Sequence, residues 1–128
     1  MSVALNHLIL FAQDKTDSAR FLAHILGRPE PTLWGPFAMV SLDADSHVEF
    51  AEPGFEIQPQ HVAFLVSDED FDGVYERITA MQLPHWADPR MTTAGTFNRN
   101  HGGRGVYFRD PSGHGLEVLT QPYGADLR

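Results

Sequence analysis

Cysteine is absent from the sequence, and basic residues are scarce. Without cysteine the protein can form no disulfide bond, has no thiolate to bind a metal and has no cysteine nucleophile. Nine Lys and Arg residues stand against 17 Asp and Glu residues, so the formal net charge is −8. Because nucleic-acid phosphates are bound by clustered positive charge, we expect no nucleic-acid partner.

Long apolar segments are also missing. No run approaches the roughly 18 apolar residues of a membrane span, so we expect no membrane partner. The start of the chain, Met1–Ala4, has neither the basic segment nor the apolar stretch of a signal peptide. A length of 128 residues with 42% hydrophobic residues suits one globular domain. These features together favour a cytoplasmic protein that binds a small molecule.

The segment Gly102–Thr120 predicts a β-hairpin. Its first strand contains Val106–Phe108, which is β-branched and aromatic and therefore suits a half-buried sheet. Asp110–Gly113 follows as a turn, because its proline presets φ and its glycine tolerates positive φ. The strand that resumes after this turn contains Glu117, the most informative residue of the chain.

Glu117 lies between two apolar neighbours in its strand. Alternation places those neighbours on one face and Glu117 on the other, together with Gly115 and Leu119. On an interior face, a carboxylate without a compensating partner costs several kcal/mol. We therefore interpret Glu117 as a metal ligand, with a salt bridge to Arg104 or Arg109 as the structural alternative.

The chain repeats one order of elements, a strand, a helix and further strands. Alternating apolar residues predict a first strand over Val3–Phe11 that is covered on both faces. Helical spacing then predicts a helix that Thr16 or Asp17 caps and that ends at Gly27. The further strands predicted in this half are Pro36–Leu42 and His47–Ala51.

The second half follows the same order. A strand is predicted over Gln60–Val66, and a helix begins near Ser67 with acidic residues in its first turn, where the helix dipole favours them. Leu83 and the proline after it end this helix. His85–His101 is irregular and polar, so we expect a short strand or a loop there before the hairpin.

The two halves can be aligned with each other. Leu5–Phe11 matches Pro59–Leu65, and Val48–Phe50 matches Leu116–Val118. Each half therefore supplies one histidine on its first strand and one glutamate on its last strand. Such a repeat predicts two similar modules packed together. By pseudo-symmetry four polar side chains would meet where the modules join: His7, Glu49, His61 and Glu117.

The pattern resembles the vicinal oxygen chelate superfamily, which contains glyoxalases, bleomycin-resistance proteins and extradiol dioxygenases. The residues that carry the resemblance are Asn6-His7, Gln60-His61 and the run from Phe108 through His114 to Glu117. The resemblance implies an α+β fold in which two βαβββ modules form a curved, mixed, mostly antiparallel sheet. It covers a single domain, 1–128, with modules at residues 1–55 and 56–128, and it implies a homodimer.

Within the superfamily the chain looks like the small branch around the chartreusin-pathway ring-cleaving dioxygenase. That likeness is carried by Pro59–His61, His85–Pro89 and Gly102–Phe108. It implies a non-haem iron(II) protein that acts on an aromatic polyketide or on a similar phenol or quinone.

The repeat and the resemblance together favour one divalent metal ion, with Fe(II) preferred and Ni, Mn or Zn as alternatives. Two imidazoles and one carboxylate make the facial triad of iron(II) oxygenases, here His7, His61 and Glu117. Glu49 is either a fourth ligand, as in a glyoxalase-like set, or stands off the metal. A substrate with two adjacent oxygens would chelate the ion and be activated by it.

The remaining candidate residues concern catalysis and the substrate. His101 and Tyr107 are candidates for acid/base chemistry beside Glu117; the alternatives are a solvated loop for His101 and core packing for Tyr107. Four residues could contact a small aromatic substrate: Trp34, Phe37, Trp86 and Phe97. We expect a ring-cleaving dioxygenase. The alternatives are a glyoxalase-type isomerase or thiol transferase, and a metal-free binding protein of the bleomycin-resistance kind.

Overall fold

The computed structural model describes residues 1–123, and within them the order βαβββ occurs twice. The first set is β1 (His7–Phe11), α1 (Lys15–Leu26), β2 (Thr32–Trp34), β3 (Phe37–Ser41) and β4 (His47–Ala51). The second set is β5 (His61–Leu65), α2 (Asp68–Ala80), β6 (His85–Trp86), β7 (Gly105–Arg109) and β8 (Gly115–Leu119), with a 3-10 turn at Asn100–Gly102. Neither helix within residues 1–123 is long and apolar enough to cross a membrane.

Each set of strands forms its own four-stranded sheet. The strand orders are β1-β4-β3-β2 and β5-β8-β7-β6. In both sheets the first and last strands of the set pair in parallel, and the other neighbours pair antiparallel. The sheets are therefore mixed and mostly antiparallel, and the predicted α+β fold of two βαβββ modules is confirmed.

Contacts along the chain divide it into two compact units. One unit comprises residues 1–60 with Asp110–Ser112, and the other comprises His61–Arg109 and resumes at Gly113. The expected module boundary, between residues 55 and 56, lies in the connection from β4 to β5. We call the two βαβββ sets the first and the second module.

In both modules one face of the sheet is buried. The other, which we call the open face, is exposed at the first strand and buried at the last strand. Along β1, Leu10 is buried, whereas Ile9 is 44% exposed and His7 is exposed. Along β5, Phe64 is buried, whereas His61 and its alternate neighbours are exposed. The prediction that the first strand is covered on both faces is therefore wrong, because one side of the sheet has no packing partner within the module.

The buried face of each module is apolar, as alternation requires. In the first module α1 packs on β3 and β4, and its core residues include Leu22, Ile25, Val40, Val48 and Phe50. In the second module the fully buried residues include Phe71, Val74, Ile78, Phe108 and Leu116. These residues leave the polar members of the same strands on the opposite, open face.

Strand and helix boundaries differ from the predictions in a few places. β1 begins at His7 and not at Val3, and the three-residue strand β2 was not predicted because its residues are all exposed. The predicted end of α1 at Gly27 is confirmed, since this residue adopts the left-handed conformation with φ of 69°. The short strand expected after Leu83 is present as β6.

The cap of α1 was assigned to the wrong residue. Asp14 is the N-cap, and its Oδ1 accepts a hydrogen bond from the N–H of Asp17 at 3.0 Å. Asp14→Ala should therefore lower the free energy of unfolding by about 1 kcal/mol, because an N–H at the helix start loses its acceptor. Thr16→Ala is the control and should change it by less than about 0.5 kcal/mol. Urea unfolding measures both values, and equal effects would contradict the assignment.

Candidate metal centre

The open face of the second module carries four side chains in neighbouring strands. In the sheet register, Ala63 of β5 lies opposite Glu117 of β8, Glu117 opposite Tyr107 of β7, and Tyr107 opposite Trp86 of β6. His61, two residues before Ala63, points to the same side of the sheet. A histidine, a glutamate, a tyrosine and a tryptophan are thus aligned across this face.

Glu117 is buried among polar partners. The residue is only 2% exposed, and its Oε1 lies 3.1 Å from Nε2 of His61 and accepts a hydrogen bond from the Tyr123 hydroxyl at 3.2 Å. Tyr107 lies opposite Glu117 in the neighbouring strand. These contacts offset the cost of burying the carboxylate. Arg104, considered above as a partner of Glu117, pairs instead with Asp68 and Asp72.

The two tyrosines beside Glu117 stay protonated at neutral pH. Burial, together with the charge of Glu117 and the hydrogen bond to it, raises the pKa of Tyr107 well above its ordinary value. The charge of Glu117 is the largest of the causes that raise the pKa of Tyr123. A negative charge beside a phenol disfavours the phenolate, so both hydroxyls act here as hydrogen-bond donors.

The first module has a related arrangement with one difference. Glu49 is 7% exposed, and its Oε1 lies 2.9 Å from Nε2 of His47, two residues earlier on the same strand. His7 lies opposite His47 in the parallel pair β1–β4, and the two imidazoles stack with centroids 5.2 Å apart and planes at 9°. Sequence reasoning missed His47, although its position two residues from Glu49 marks it as a neighbour on the same face.

The geometry of the two His–Glu pairs is compatible with metal binding. Two ligands that each lie about 2.1 Å from one ion at right angles are about 3 Å apart. The nitrogen–oxygen distances of 2.9 and 3.1 Å match this spacing, and they are also ordinary hydrogen-bond lengths. In residues 1–123 no group of three or more His, Asp or Glu side chains is gathered as a metal site. Each module thus contributes a two-donor pair of the kind that suits Fe, Mn, Ni or Zn.

The other candidate residues are placed as follows. His101 has a left-handed backbone with φ of 57°, and its ring stacks on Tyr123 with centroids 5.5 Å apart. Trp34 and Phe37 stack at the edge of the first sheet, with centroids 6.3 Å apart. Tyr123 had no signal in the sequence, because its contact with Glu117 depends on how the chain turns after β8.

Phe97 is partly buried and packs against other aromatic rings of the second module. Its ring lies 5.5 Å from that of Phe71 and 5.0 Å from that of Tyr75. Phe71 is fully buried in the module core. Phe97 therefore supports packing of the second module.

The fold is that of a protein with two βαβββ modules, each of which carries one His–Glu pair on its sheet. Residues 4–118 match the Glyoxalase/Bleomycin resistance protein/Dioxygenase superfamily. The chain belongs to this superfamily, and the resemblance inferred from its motifs is confirmed. Members of the superfamily generally use a divalent metal ion, and they commonly form dimers and bind small molecules.

Three individual proteins are similar to this chain over most of its length. The chain is 50% identical to the solved structure of Oxidase ChaP-H1, with a TM-score of 0.92 over 97% of this chain and 100% of that one. It is 49% identical to Oxidase ChaP-H2, with a TM-score of 0.91 over 97% and 98% of the two chains. It is 30% identical to a protein of Serratia marcescens named glutathione transferase FosA, over 99% of this chain and 87% of that protein. The similarity to the two proteins named oxidases supports an oxidative enzyme of the superfamily.

The environment of Glu117 generates a prediction about tyrosine ionisation. In metal-free Glu117→Gln the pKa of Tyr123 should fall toward the ordinary value of about 10, because the neighbouring negative charge is gone. Alkaline titration followed by phenolate absorbance measures the shift. Adding Tyr123→Phe to that variant should remove the shifted transition and so assign it to Tyr123. The matched control is Glu56→Gln, which replaces an exposed glutamate and should titrate as wild type. Identical titration of wild type and Glu117→Gln would contradict the prediction.

Proposed function

We propose that this protein is a metal-dependent dioxygenase that binds an aromatic phenol through two adjacent oxygens and cleaves its ring. The observation that carries the proposal is the similarity to two proteins named oxidases, each about half identical over nearly the whole chain. Substrate, metal and ring cleavage are our proposal, which rests on what the family resemblance implies and on the histidines and glutamates of the two modules.

The proposed ligands of one divalent ion, Fe(II) by preference, are His7 and Glu49 of the first module and His61 and Glu117 of the second. The histidine that contacts Glu49 in the structure is His47, and His7 stacks on it. Burial and donor contacts support this assignment for Glu117, whose Oε1 already lies 3.1 Å from His61 Nε2. The two sets would have to meet, either from the two modules of one chain or from the two subunits of a dimer. When bound, such an ion supplies Lewis acidity, which makes the hydroxyls of a chelating phenol easier to deprotonate.

The remaining residues of the second module would position groups and transfer protons. We propose Glu117, Tyr107 and His101 as the catalytic group. Tyr107 keeps its proton because its pKa is raised by burial and by Glu117, so it can donate a hydrogen bond and hold the carboxylate in one orientation. His101 is exposed and stacked on Tyr123, where its imidazole could accept a proton from a substrate hydroxyl.

A planar substrate has two places to contact, an aromatic side chain on the second module and a mostly polar pocket on the first. In the second module Trp86 lies opposite Tyr107 in the sheet, next to Glu117. In the first module a cavity of about 360 Å³ lies beside His47 and is lined in part by Met39 and Thr32. Cavities of this size are typical of small-molecule sites.

The proposed reaction balances without a further reductant. A phenol with two adjacent hydroxyls reacts with one dioxygen molecule, one ring carbon–carbon bond breaks, and both oxygen atoms enter the product. The ring supplies the four electrons that reduce dioxygen. An ortho-quinone is two electrons poorer than the corresponding catechol, so it would first need two electrons and two protons from a reductant.

A glyoxalase-type or thiol-transferase activity is the second candidate. The similarity to a protein named glutathione transferase FosA favours it, and Glu49 as a fourth ligand would fit it. The lower identity of 30%, against 50% for the oxidase ChaP-H1, makes it the weaker candidate. A metal-free binding protein is the third, and metal analysis separates it from both enzymes.

The ligand set predicts the metal content of variants. Protein purified without chelator and supplied with Fe(II) should bind close to one ion per four-residue site, and His61→Ala should reduce this to background because a ligand is lost. His24→Ala, a histidine on the exposed side of α1, should bind as wild type. Elemental analysis of the desalted protein gives the ratio. A wild-type protein that stays metal-free with iron(II), nickel and manganese would favour the binding-protein alternative.

The reaction itself can be tested with a polycyclic catechol. The protein is loaded with Fe(II) under anaerobic conditions, the catechol is added, and oxygen is then admitted. We expect oxygen uptake and a product heavier than the substrate by one dioxygen molecule, both absent in Glu117→Ala. With an ortho-quinone, product should form only when a reductant is also present. Conversion of methylglyoxal and glutathione with nickel, without oxygen uptake from any phenol, would instead establish the glyoxalase alternative.

A further inference from the structure

We infer that Asn6 is a positioning residue that holds His7 in the tautomer whose Nε2 carries no hydrogen and is open to a metal ion. The inference deepens the proposed function, on which the metal-binding role of His7 rests. Three observations in the first module lead to it: the contacts of the Asn6 amide, the turn that Asn6 joins, and the stacking of His7.

The contact between Asn6 and His7 is short but does not by itself define the tautomer. Oδ1 of Asn6 lies 2.7 Å from Nδ1 of His7. An asparagine amide can present either its oxygen or its nitrogen, and either ring nitrogen of a neutral histidine can carry the hydrogen. A further contact of the amide is needed to decide.

The second hydrogen bond of Asn6 removes both ambiguities. Nδ2 of Asn6 donates to the backbone carbonyl oxygen of Asp45 at 2.6 Å. A carbonyl oxygen can only accept, so the amide must turn its NH₂ group to Asp45 and its oxygen to His7. That oxygen can also only accept, so Nδ1 of His7 carries the hydrogen and Nε2 of the neutral ring carries the lone pair.

The carbonyl group of Asp45 is itself held in place by a turn. Oδ1 of Asp43 accepts hydrogen bonds from the N–H groups of Asp45 and Ser46, each at 2.8 Å, and from the Ser46 hydroxyl at 3.0 Å. The hydrogen bond from Asp45 leads the contacts that lower the pKa of Asp43, which keeps this carboxylate charged. The backbone oxygen of Asn6 also accepts from the N–H of His47 at 3.0 Å. Asn6 is thus tied to one turn by both backbone and side chain.

Stacking fixes the remaining freedom of the His7 ring. Its plane lies nearly parallel to that of His47, at 9°. The stack sets the tilt of the ring, and the hydrogen bond at Nδ1 sets its rotation within that plane. Metal-binding histidines commonly donate their second ring N–H to an oxygen in this way, and losing the partner lowers metal affinity about 10- to 100-fold.

The tautomer can be measured directly in the metal-free protein. Long-range proton–nitrogen NMR at about pH 8, above the usual titration range of histidine, distinguishes protonated from bare ring nitrogens, and His7→Gln assigns the signal. We expect wild-type His7 to be protonated at Nδ1. Asn6→Ala should populate the other tautomer, whereas Asn6→Asp, which keeps an oxygen acceptor, should retain that of wild type.

Zinc affinity is the second measurement, by competition with a chromophoric chelator. Asn6→Ala should weaken Zn²⁺ binding by about 10- to 100-fold, and Gln13→Ala, an exposed amide of the same module, should leave tautomer and affinity unchanged. Wild-type His7 protonated at Nε2, or an unchanged tautomer in Asn6→Ala, would overturn the inference. Should Asn6→Ala fail to fold, the wild-type tautomer and Asn6→Asp decide. Wild type that binds no zinc would count against the proposed function, while the tautomer still decides the role of Asn6.

Discussion

The burial of one glutamate in the last strand of each module is the constraint on which the rest of the site depends. Glu49 is 7% exposed and Glu117 is 2% exposed, and each lies between two apolar core residues of its strand. A buried carboxylate is stable only when donors or a cation surround it. The residues that meet this requirement, histidines in both modules and tyrosines in the second, are the same residues that could serve a metal centre.

Strand pairing explains why histidine and glutamate meet. The first and last strands of each module lie side by side in parallel, so residues with the same alternation phase share a face. Helix and core cover the other face, and on the His–Glu face the histidines of the first strands stay exposed while the glutamates are buried. Parallel pairing brings His61 to Glu117 in the second module, whereas in the first module Glu49 contacts His47 of its own strand.

The fold and most residues of the candidate site could be predicted from the sequence, because strand alternation and the internal repeat are visible in it. Alternation with a period of two placed Glu117 opposite its apolar neighbours, and the internal repeat pointed to Glu49 and the two histidines. The sequence did not reveal Tyr123, whose contact with Glu117 depends on the path of the chain after a strand has ended. The exposed face of β1 was also missed, since Leu8 and Leu10 suggest burial on both sides when only one side is packed.

The buried glutamates of the two modules contact histidines from different strands, and this difference affects how each carboxylate could bind a metal ion. In the aligned strands His47 of the first module corresponds to Gly115 of the second. Gly115 has no side chain, and His61 from the neighbouring strand reaches Glu117 directly. In the first module His47 takes that place, contacts Glu49 at 2.9 Å and stacks against His7.

This difference bears on whether Glu49 is a metal ligand. An ion bound by Glu49 through Oε1 would share this oxygen with His47 or displace it, and His47 is not a proposed ligand. An ion at Glu117 would meet His61, which is a proposed ligand. The partner that compensates the buried charge of Glu49 therefore also competes for it. On this ground we propose His7, His61 and Glu117 as the primary ligand set, and Glu49 with His47 as the pair whose rearrangement would convert three protein ligands into four.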